Sequence, residues 1–204
     1  MVGIYQRKIN KWYSNISSSK YDPWMFRDTP KGSKEKLMNY LDFKKNDCII
    51  ELGCGTGQNI RYFPESLNLH LLDINKNMLN SARNKSKDQN VKINFYQEDA
   101  KNTSFQDSFF NKGILTFALS GIPENQLVLK EMSRIVVQNG LIGILDFSSI
   151  RSNFVGGITG INSLDDLINQ SFLRTIKKET FVIVHDELEF DYTGYRVYLL
   201  ENKK

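Results

Sequence analysis

Cys48-Ile49-Ile50-Glu51-Leu52-Gly53-Cys54-Gly55-Thr56-Gly57-Gln58-Asn59 is an apolar, strand-forming run that passes into three glycines at alternate positions. Glycines at such a junction let the backbone turn sharply and let a ligand approach the main chain with no side chain in the way. A helix expected over Thr56 to Phe63 would aim its free N–H groups at the same place. A nicotinamide or flavin site wants G-x-G-x-x-G. Here the spacing is G-x-G-x-G, with an acid, Glu51, two residues before the first glycine. A nucleoside triphosphate loop is excluded because Gly57 is followed by Gln58 and Asn59 rather than by the lysine that loop requires.

Working outward, strand-length apolar runs alternate with segments of helical period, the pattern of an open, mostly parallel α/β sheet. Buried strands are expected at Cys48 to Leu52, Leu69 to Asp73, Val91 to Gln97, Lys112 to Ala118 and Leu141 to Phe147. Between them, helices are expected over Thr56 to Phe63, Lys76 to Lys85 and Pro123 to Val137. The last is opened by proline in its first turn and closed by Asn139-Gly140. A loop rich in Gly and Ser, Ser148 to Gly160, leads to a helix from Ser163 to about Ile176. Two strand runs then follow, Phe181 to Phe190 and Tyr195 to Glu201, separated by a short turn signal that implies an antiparallel hairpin. The expected fold is therefore a doubly wound, Rossmann-like, seven-stranded sheet, mostly parallel, with that hairpin at its end.

Two further acids sit where a ligand of this sheet would need them. Asp73 ends the second strand, twenty residues beyond Gly53, where a carboxylate can accept both hydroxyls of a ribose. Asp99-Ala100 follows the third strand and offers a carboxylate and a backbone N–H suited to an adenine's amine and ring nitrogen.

Length and composition bound the rest. The 204 residues fit a single domain over 1–204, divided into an N-terminal lid segment (1–47), a cofactor-binding core (48–147) and a substrate-side loop, helix and hairpin (148–204). With 40% hydrophobic and 25% charged residues and a mean hydropathy of -0.41, the composition is that of a globular protein. No apolar run approaches the ~20 residues of a spanning helix, and the first residues lack a secretory signal, so a cytoplasmic location is expected. Cys48 and Cys54 are too few for a disulfide framework or a zinc set. The net charge is +4, too mild to announce a nucleic-acid binder. It is concentrated before Cys48, where ten basic residues face five acidic ones. Interleaved there are Tyr5, Trp12, Tyr13, Tyr21, Trp24 and Phe26, a composition that suits either a solvated lid or peripheral contact with an anionic membrane.

With these residues in hand, the sequence resembles the class I S-adenosylmethionine-dependent methyltransferases over almost its whole length. Ile50 to Gly57 resembles that family's glycine-rich first motif, Leu72-Asp73-Ile74 its ribose acid and Glu98-Asp99-Ala100 its adenine motif. Phe117-Ala118-Leu119 resembles the residues after the fourth strand. Glu131 to Leu141 is similar to its run of helix, turn and fifth strand, with Gln138-Asn139-Gly140 where proline-glycine-glycine is usual. Ser14 to Met25 resembles the N-terminal signature of the ubiquinone/menaquinone C-methyltransferases and the related bacterial phospholipid N-methyltransferases. Leu145-Asp146-Phe147-Ser148 is similar to the quinone enzymes' Leu-Glu-Phe-Ser, although the region after it is shorter here.

The resemblance implies that S-adenosylmethionine is the cofactor, with S-adenosylhomocysteine as product. Tyr21 would reach its methionine end, which Glu51, Gly53, Gly55 and Gly57 would hold. Asp73 would hold the ribose, with Ile74, Met78, Asp99 and Ala100 around adenine and Phe117 on the floor. Tyr13, Ser120 and Arg151 are the candidates for binding an acceptor that is a small molecule or lipid-like. No catalytic base stands out: His70 lies within a strand and His185 in the late hairpin, both read as structural. This favours an acceptor already nucleophilic or easily ionised, such as an amine or a quinol. The loop Leu119-Ser120-Gly121-Ile122-Pro123 lacks the arrangement for methylating a flipped adenine, so no nucleic-acid partner is expected. The oligomeric state is left open, and a binding or scaffold protein of the same fold is the alternative function.

Overall fold

The structure is a computed structural model that describes residues 19–23, 32–147, 181–189 and 195–204. Seven strands form one sheet: β1 (Cys48–Leu52), β2 (Asn68–Leu72), β3 (Lys92–Tyr96), β4 (Phe110–Thr116), β5 (Val136–Phe147), β6 (Phe181–Glu189) and β7 (Tyr195–Asn202). Their order is β3-β2-β1-β4-β5-β7-β6. The first five are parallel, and β7 runs antiparallel to both β5 and β6. The expected hairpin thus completes the sheet, with β7 inside it and β6 at the edge. Alternate residues feed two cores, as strand geometry dictates. Ile49, Leu69, Leu71, Ile114 and Leu145 pack under α1 (Ser33–Tyr40), the 3-10 turn Ile60–Tyr62 and α2 (Lys76–Ser86). On the opposite face, Ile50, Leu72, Leu115 and Ile144 pack against α3 (Asn125–Ile135).

Several expectations are corrected. Thr56 to Phe63 forms turns and the short 3-10 segment rather than an α-helix. Only six residues separate Gly57 from Pro64, and Phe63 is extended, at ψ 132°, as residues before proline are. Pro123 lies before the cap of α3 rather than in its first turn, and Glu124, in the cap position, is left-handed at φ 56°. The helix ends at Ile135 and β5 begins at Val136 with no intervening loop. Asn139, at φ 61°, supplies the left-handed turn expected of Asn139-Gly140, but within β5. The third strand, read as buried, is an edge strand whose residues are half-buried or exposed, because among the described residues it pairs with β2 only. Cys48 is half-buried, not buried. Within the segment expected as a lid, Leu37 and Leu41 are fully buried, and Leu37 packs so closely over Gly143 that a Cβ there would lie 2.9 Å from its Cδ1. The expected loop and helix between 148 and 180, and the turn of the hairpin, lie outside the described residues.

The abrupt passage from α3 to β5 leaves helix-end carbonyls that need donors. Asn202, fully buried at the end of β7, supplies them: its Nδ2 donates to the carbonyls of Ser133 and Val136 at 2.9 Å each, while Ser133 Oγ donates to its Oδ1 at 3.1 Å. Replacing Asn202 by alanine strands these buried groups and should lower the unfolding free energy by about 2–3 kcal/mol, measured as a reduced urea midpoint at unchanged m-value.

Candidate functional site

The carboxyl ends of the parallel strands open on a cavity of about 530 Å³, within the usual range for small-molecule sites. The glycine turn forms one wall. Gly53, Gly55 and Gly57 all have positive φ, at 74°, 54° and 73°, which side-chain-bearing residues rarely adopt. The turn is fastened to β2: the N–H groups of Gly53 and Cys54 donate to the Leu72 carbonyl at 2.8 and 2.9 Å. Asp73 adds a second fastening. Its Oδ2 accepts the Gly55 N–H and its Oδ1 the Asn75 N–H, both at 2.8 Å. Burial raises the Asp73 pKa, and these two N–H groups oppose that shift. A carboxylate has about four lone-pair sites, so Asp73 can still accept from a ligand. Asn75 caps α2 through its Oδ1, which fixes Ile74 and Met78 at the cavity.

Nine of the eleven residues expected to hold the cofactor line this one cavity: Tyr21, Gly53, Gly55, Asp73, Ile74, Met78, Asp99, Ala100 and Phe117. Ile74 is 67% exposed, an apolar side chain left open at a cavity wall. Phe117 is left-handed at φ 52°, a strain that concentrates at functional sites. Asp99 Oδ1 accepts the Lys101 N–H at 2.9 Å, and Lys101 Nζ bridges to Glu124 at 3.2 Å.

Glu51 and Gly57 are not among the lining residues. Glu51 is buried under the turn, where Asn59 Nδ2 donates to its Oε1 at 2.7 Å and Thr116 Oγ1 lies 3.3 Å from the same atom. Its Oε2 and the Asn59 Oδ1 are buried without a partner. Burial pushes the Glu51 carboxyl up to about 7, opposed by the Asn59 bond and the nearby Lys34 charge. Burial likewise draws the Lys34 ammonium down to about 8, and that ammonium lies 6.0 Å from the centre of the Phe117 ring. Gly57 is a packing residue: a Cβ there would lie 2.7 Å from Ile60 Cδ1 and 2.9 Å from Ala82 Cβ.

Residues 49–140 match the sequence family described as "Methyltransferase domain". The match runs from β1 into β5 and so takes in the glycine turn, Asp73 and Asp99. It is 32% identical over 126 residues to a demethylmenaquinone methyltransferase of Lactobacillus johnsonii, covering 59% of this chain and 52% of that one. It is 24% identical over 151 residues to the ubiquinone/menaquinone biosynthesis C-methyltransferase of Bdellovibrio bacteriovorus, covering 72% and 64%. The matched region thus spans about half to two thirds of these relatives. In fold, the chain is similar to the geranyl diphosphate C-methyltransferase of Streptomyces coelicolor, solved with S-adenosyl-L-homocysteine, at a TM-score of 0.70 and 12% identity over 84% of this chain and 75% of that one.

The structure holds the acceptor candidates differently. Ser120 is half-buried beside the lining residues Gly121 to Pro123, but it does not line the cavity, and its N–H donates to Asp146 Oδ2 at 3.2 Å. Tyr13 and Arg151 lie outside the described residues. His70 is structural: its Nδ1 pairs with the Tyr96 hydroxyl at 2.9 Å among Phe105, Phe109 and Phe110, and burial draws its pKa down to about 4. His185 contacts Glu187 and the Tyr40 ring on the other side of the sheet order. Sequence reasoning missed Lys34, Asn59 and Thr116 around Glu51, because only folding brings them together. Asn75 carried a legible signal, an Asn directly before a helical run.

The two glycines separate in their expected behaviour. Gly57→Ala combines left-handed strain with two close contacts and should cost about 2–3 kcal/mol of stability. Gly55→Ala, with its nearest neighbour Tyr21 at 3.9 Å, should cost only the strain, about 1–2 kcal/mol. Urea unfolding of the two variants reads the order directly.

Proposed function

We propose that the protein is an S-adenosylmethionine-dependent methyltransferase acting on a small-molecule or lipid-like acceptor. The observation that carries this reading is the gathering of the glycine turn, Asp73 and the Asp99-Ala100 pair on one cavity. The cavity suits the cofactor in detail. Asp73 has lone pairs left for two ribose hydroxyls, Ile74 and Met78 offer apolar surface to adenine, and Asp99 offers an acceptor to its amine. Beneath the turn, behind the cavity lining, the unpartnered Glu51 Oε2 and Asn59 Oδ1 suit a buried ammonium, and Lys34, near the Phe117 ring, suits a carboxylate; together they match the two charged ends of an amino acid.

The bound cofactor supplies an activated sulfonium methyl group, so the chain's task is alignment and exclusion of water rather than nucleophilic attack. Tyr21 and Phe117 wall the cavity, and neither His70 nor His185 lines it. That supports an acceptor which needs little help in losing a proton. Similarity to relatives named for quinone methylation supports trying a reduced quinone first, followed by amines and phospholipids.

Calorimetric titration with S-adenosylhomocysteine tests the reading. Asp73→Asn keeps an oxygen for the Gly55 N–H but removes the charge and the acceptor of the Asn75 N–H, and should weaken binding about tenfold or more. Absence of binding to folded wild type would overturn the cofactor assignment, and binding without transfer to any acceptor class would favour the scaffold alternative.

The pH dependence has a definite sign. The ligand's ammonium needs Glu51 ionised, yet in the free protein its pKa is about 7, so protons compete with the ligand below that value. Affinity should therefore rise by roughly tenfold between about pH 5.5 and 7.5, with proton release on binding. Glu51→Gln should flatten that rise. The free fold behaves oppositely: an acid whose pKa is raised favours folding while protonated, a contribution lost as pH climbs from about 4.5 through 7.

A further inference from the structure

We propose that Asp22 is a positioning residue of the cofactor site: bridged to Lys85 and Thr56, it pins the helical residues 19–23 against the glycine turn and fixes the Tyr21 ring at the cavity wall. The assignment rests on the cofactor reading above and adds to it a latch that joins Asp22 and Thr56, from two separate stretches of sequence, through Lys85 of α2.

The geometry is a closed ring of three hydrogen bonds. Thr56 Oγ1 donates to Asp22 Oδ1 at 2.5 Å, Lys85 Nζ donates to Asp22 Oδ2 at 2.5 Å, and Lys85 Nζ also donates to Thr56 Oγ1 at 3.1 Å. Each partner comes from a different part of the site. Thr56 stands between Gly55 and Gly57 and is 1% exposed, Lys85 lies in the last turn of α2, and Asp22 follows Tyr21 directly. The Asp22 and Lys85 side chains are 20% and 35% exposed, so their charges are partly withdrawn from solvent screening. Residues 19–23 are helical, and the Asp22 bonds to Thr56 and Lys85 are tertiary contacts that seat them beside the glycine turn. Tyr21 is 8% exposed, and its hydroxyl and Cε1 lie 3.9 Å from where a Gly55 Cβ would stand.

Tyr21 and Asp22 are neighbours on this turn, one directed at the cavity and the other at Thr56 and α2. Freeing the Asp22 carboxylate therefore removes the tie of the element that carries Tyr21 to Thr56 and α2, while the glycine turn keeps its own bonds to Leu72 and Asp73. The consequence is a cavity wall whose closure depends on an ion pair remote from the ligand. Ligand release should quicken with salt, because screening weakens partly exposed pairs.

The test measures S-adenosylhomocysteine affinity and dissociation rate for the wild type, Asp22→Asn and Lys85→Met, and repeats Asp22→Asn in a Tyr21→Ala background. Each single substitution should weaken binding about fivefold, chiefly through faster dissociation. In the Tyr21→Ala background, Asp22→Asn should change affinity by less than about twofold, a coupling that a merely structural role would not produce. Amide exchange in the ligand-free protein should show lost protection at residues 20–23 in Asp22→Asn and unchanged protection in β1. Unchanged affinity in both single variants overturns the latch, as does an equal loss with and without Tyr21. A wild type that binds no S-adenosylhomocysteine overturns the cofactor reading itself, an outcome distinct from wild-type binding with indifferent variants.

Discussion

Asp73 performs two tasks with one carboxylate. Its Oδ2 holds the Gly55 N–H and its Oδ1 the Asn75 N–H, so the end of β2 fixes both the glycine turn after β1 and the start of α2. With the bonds from Gly53 and Cys54 to the Leu72 carbonyl, the turn is shaped by its neighbouring strand rather than by a following helix. That explains how the site is built although Thr56 to Phe63 is not an α-helix. The spare lone pairs of Asp73 face a cavity because the first pairs are spent on the scaffold.

The opposite side of the cavity is held by a second brace. Glu131, on α3, accepts the Thr103 N–H and hydroxyl and is paired with Arg134, whose guanidinium also reaches the Phe105 carbonyl and Asp107. Burial works against the Glu131 charge, but the bonds from Arg134 and Thr103 outweigh it and hold its carboxyl below the ordinary range. The loop that carries Asp99 and Ala100 is thereby tied to the face of the sheet opposite α1 and α2. Asn202 fixes the α3 end of this assembly, so the terminal hairpin supports the Asp99 side of the cavity from a distance in sequence. On the first face, Asp22, Thr56 and Lys85 do the corresponding work for Tyr21.

Much of the site was legible because its signals are local. Alternating glycines report positive φ at one turn, and the acids at 73 and 99 report strand ends, since period-two burial places each strand within a residue or two. The helix over 56–63 misled because its apolar and polar spacing is short, and Pro64 and the tight turn decide the matter by backbone sterics. The beginning of β5 was hidden because Val136 and Val137 continue the helical pattern of α3; Phe110 pairs with Val136, a contact that no local window contains. Burial of the third strand was misread because periodicity cannot say whether a strand has one neighbour or two.

The sequence by itself determined the α/β alternation, the glycine turn and the acids at the ends of the second and third strands, because these depend on backbone conformations and spacings within a few residues. Only the tertiary structure decided that Glu51 lies beneath the turn with Lys34, Asn59 and Thr116, that Gly57 serves packing, and that Asp22 meets Lys85. Those facts depend on groups far apart along the chain, 63 residues for Asp22 and Lys85 and 65 for Glu51 and Thr116, and their energies come from burial and shared charge, which no single segment possesses alone.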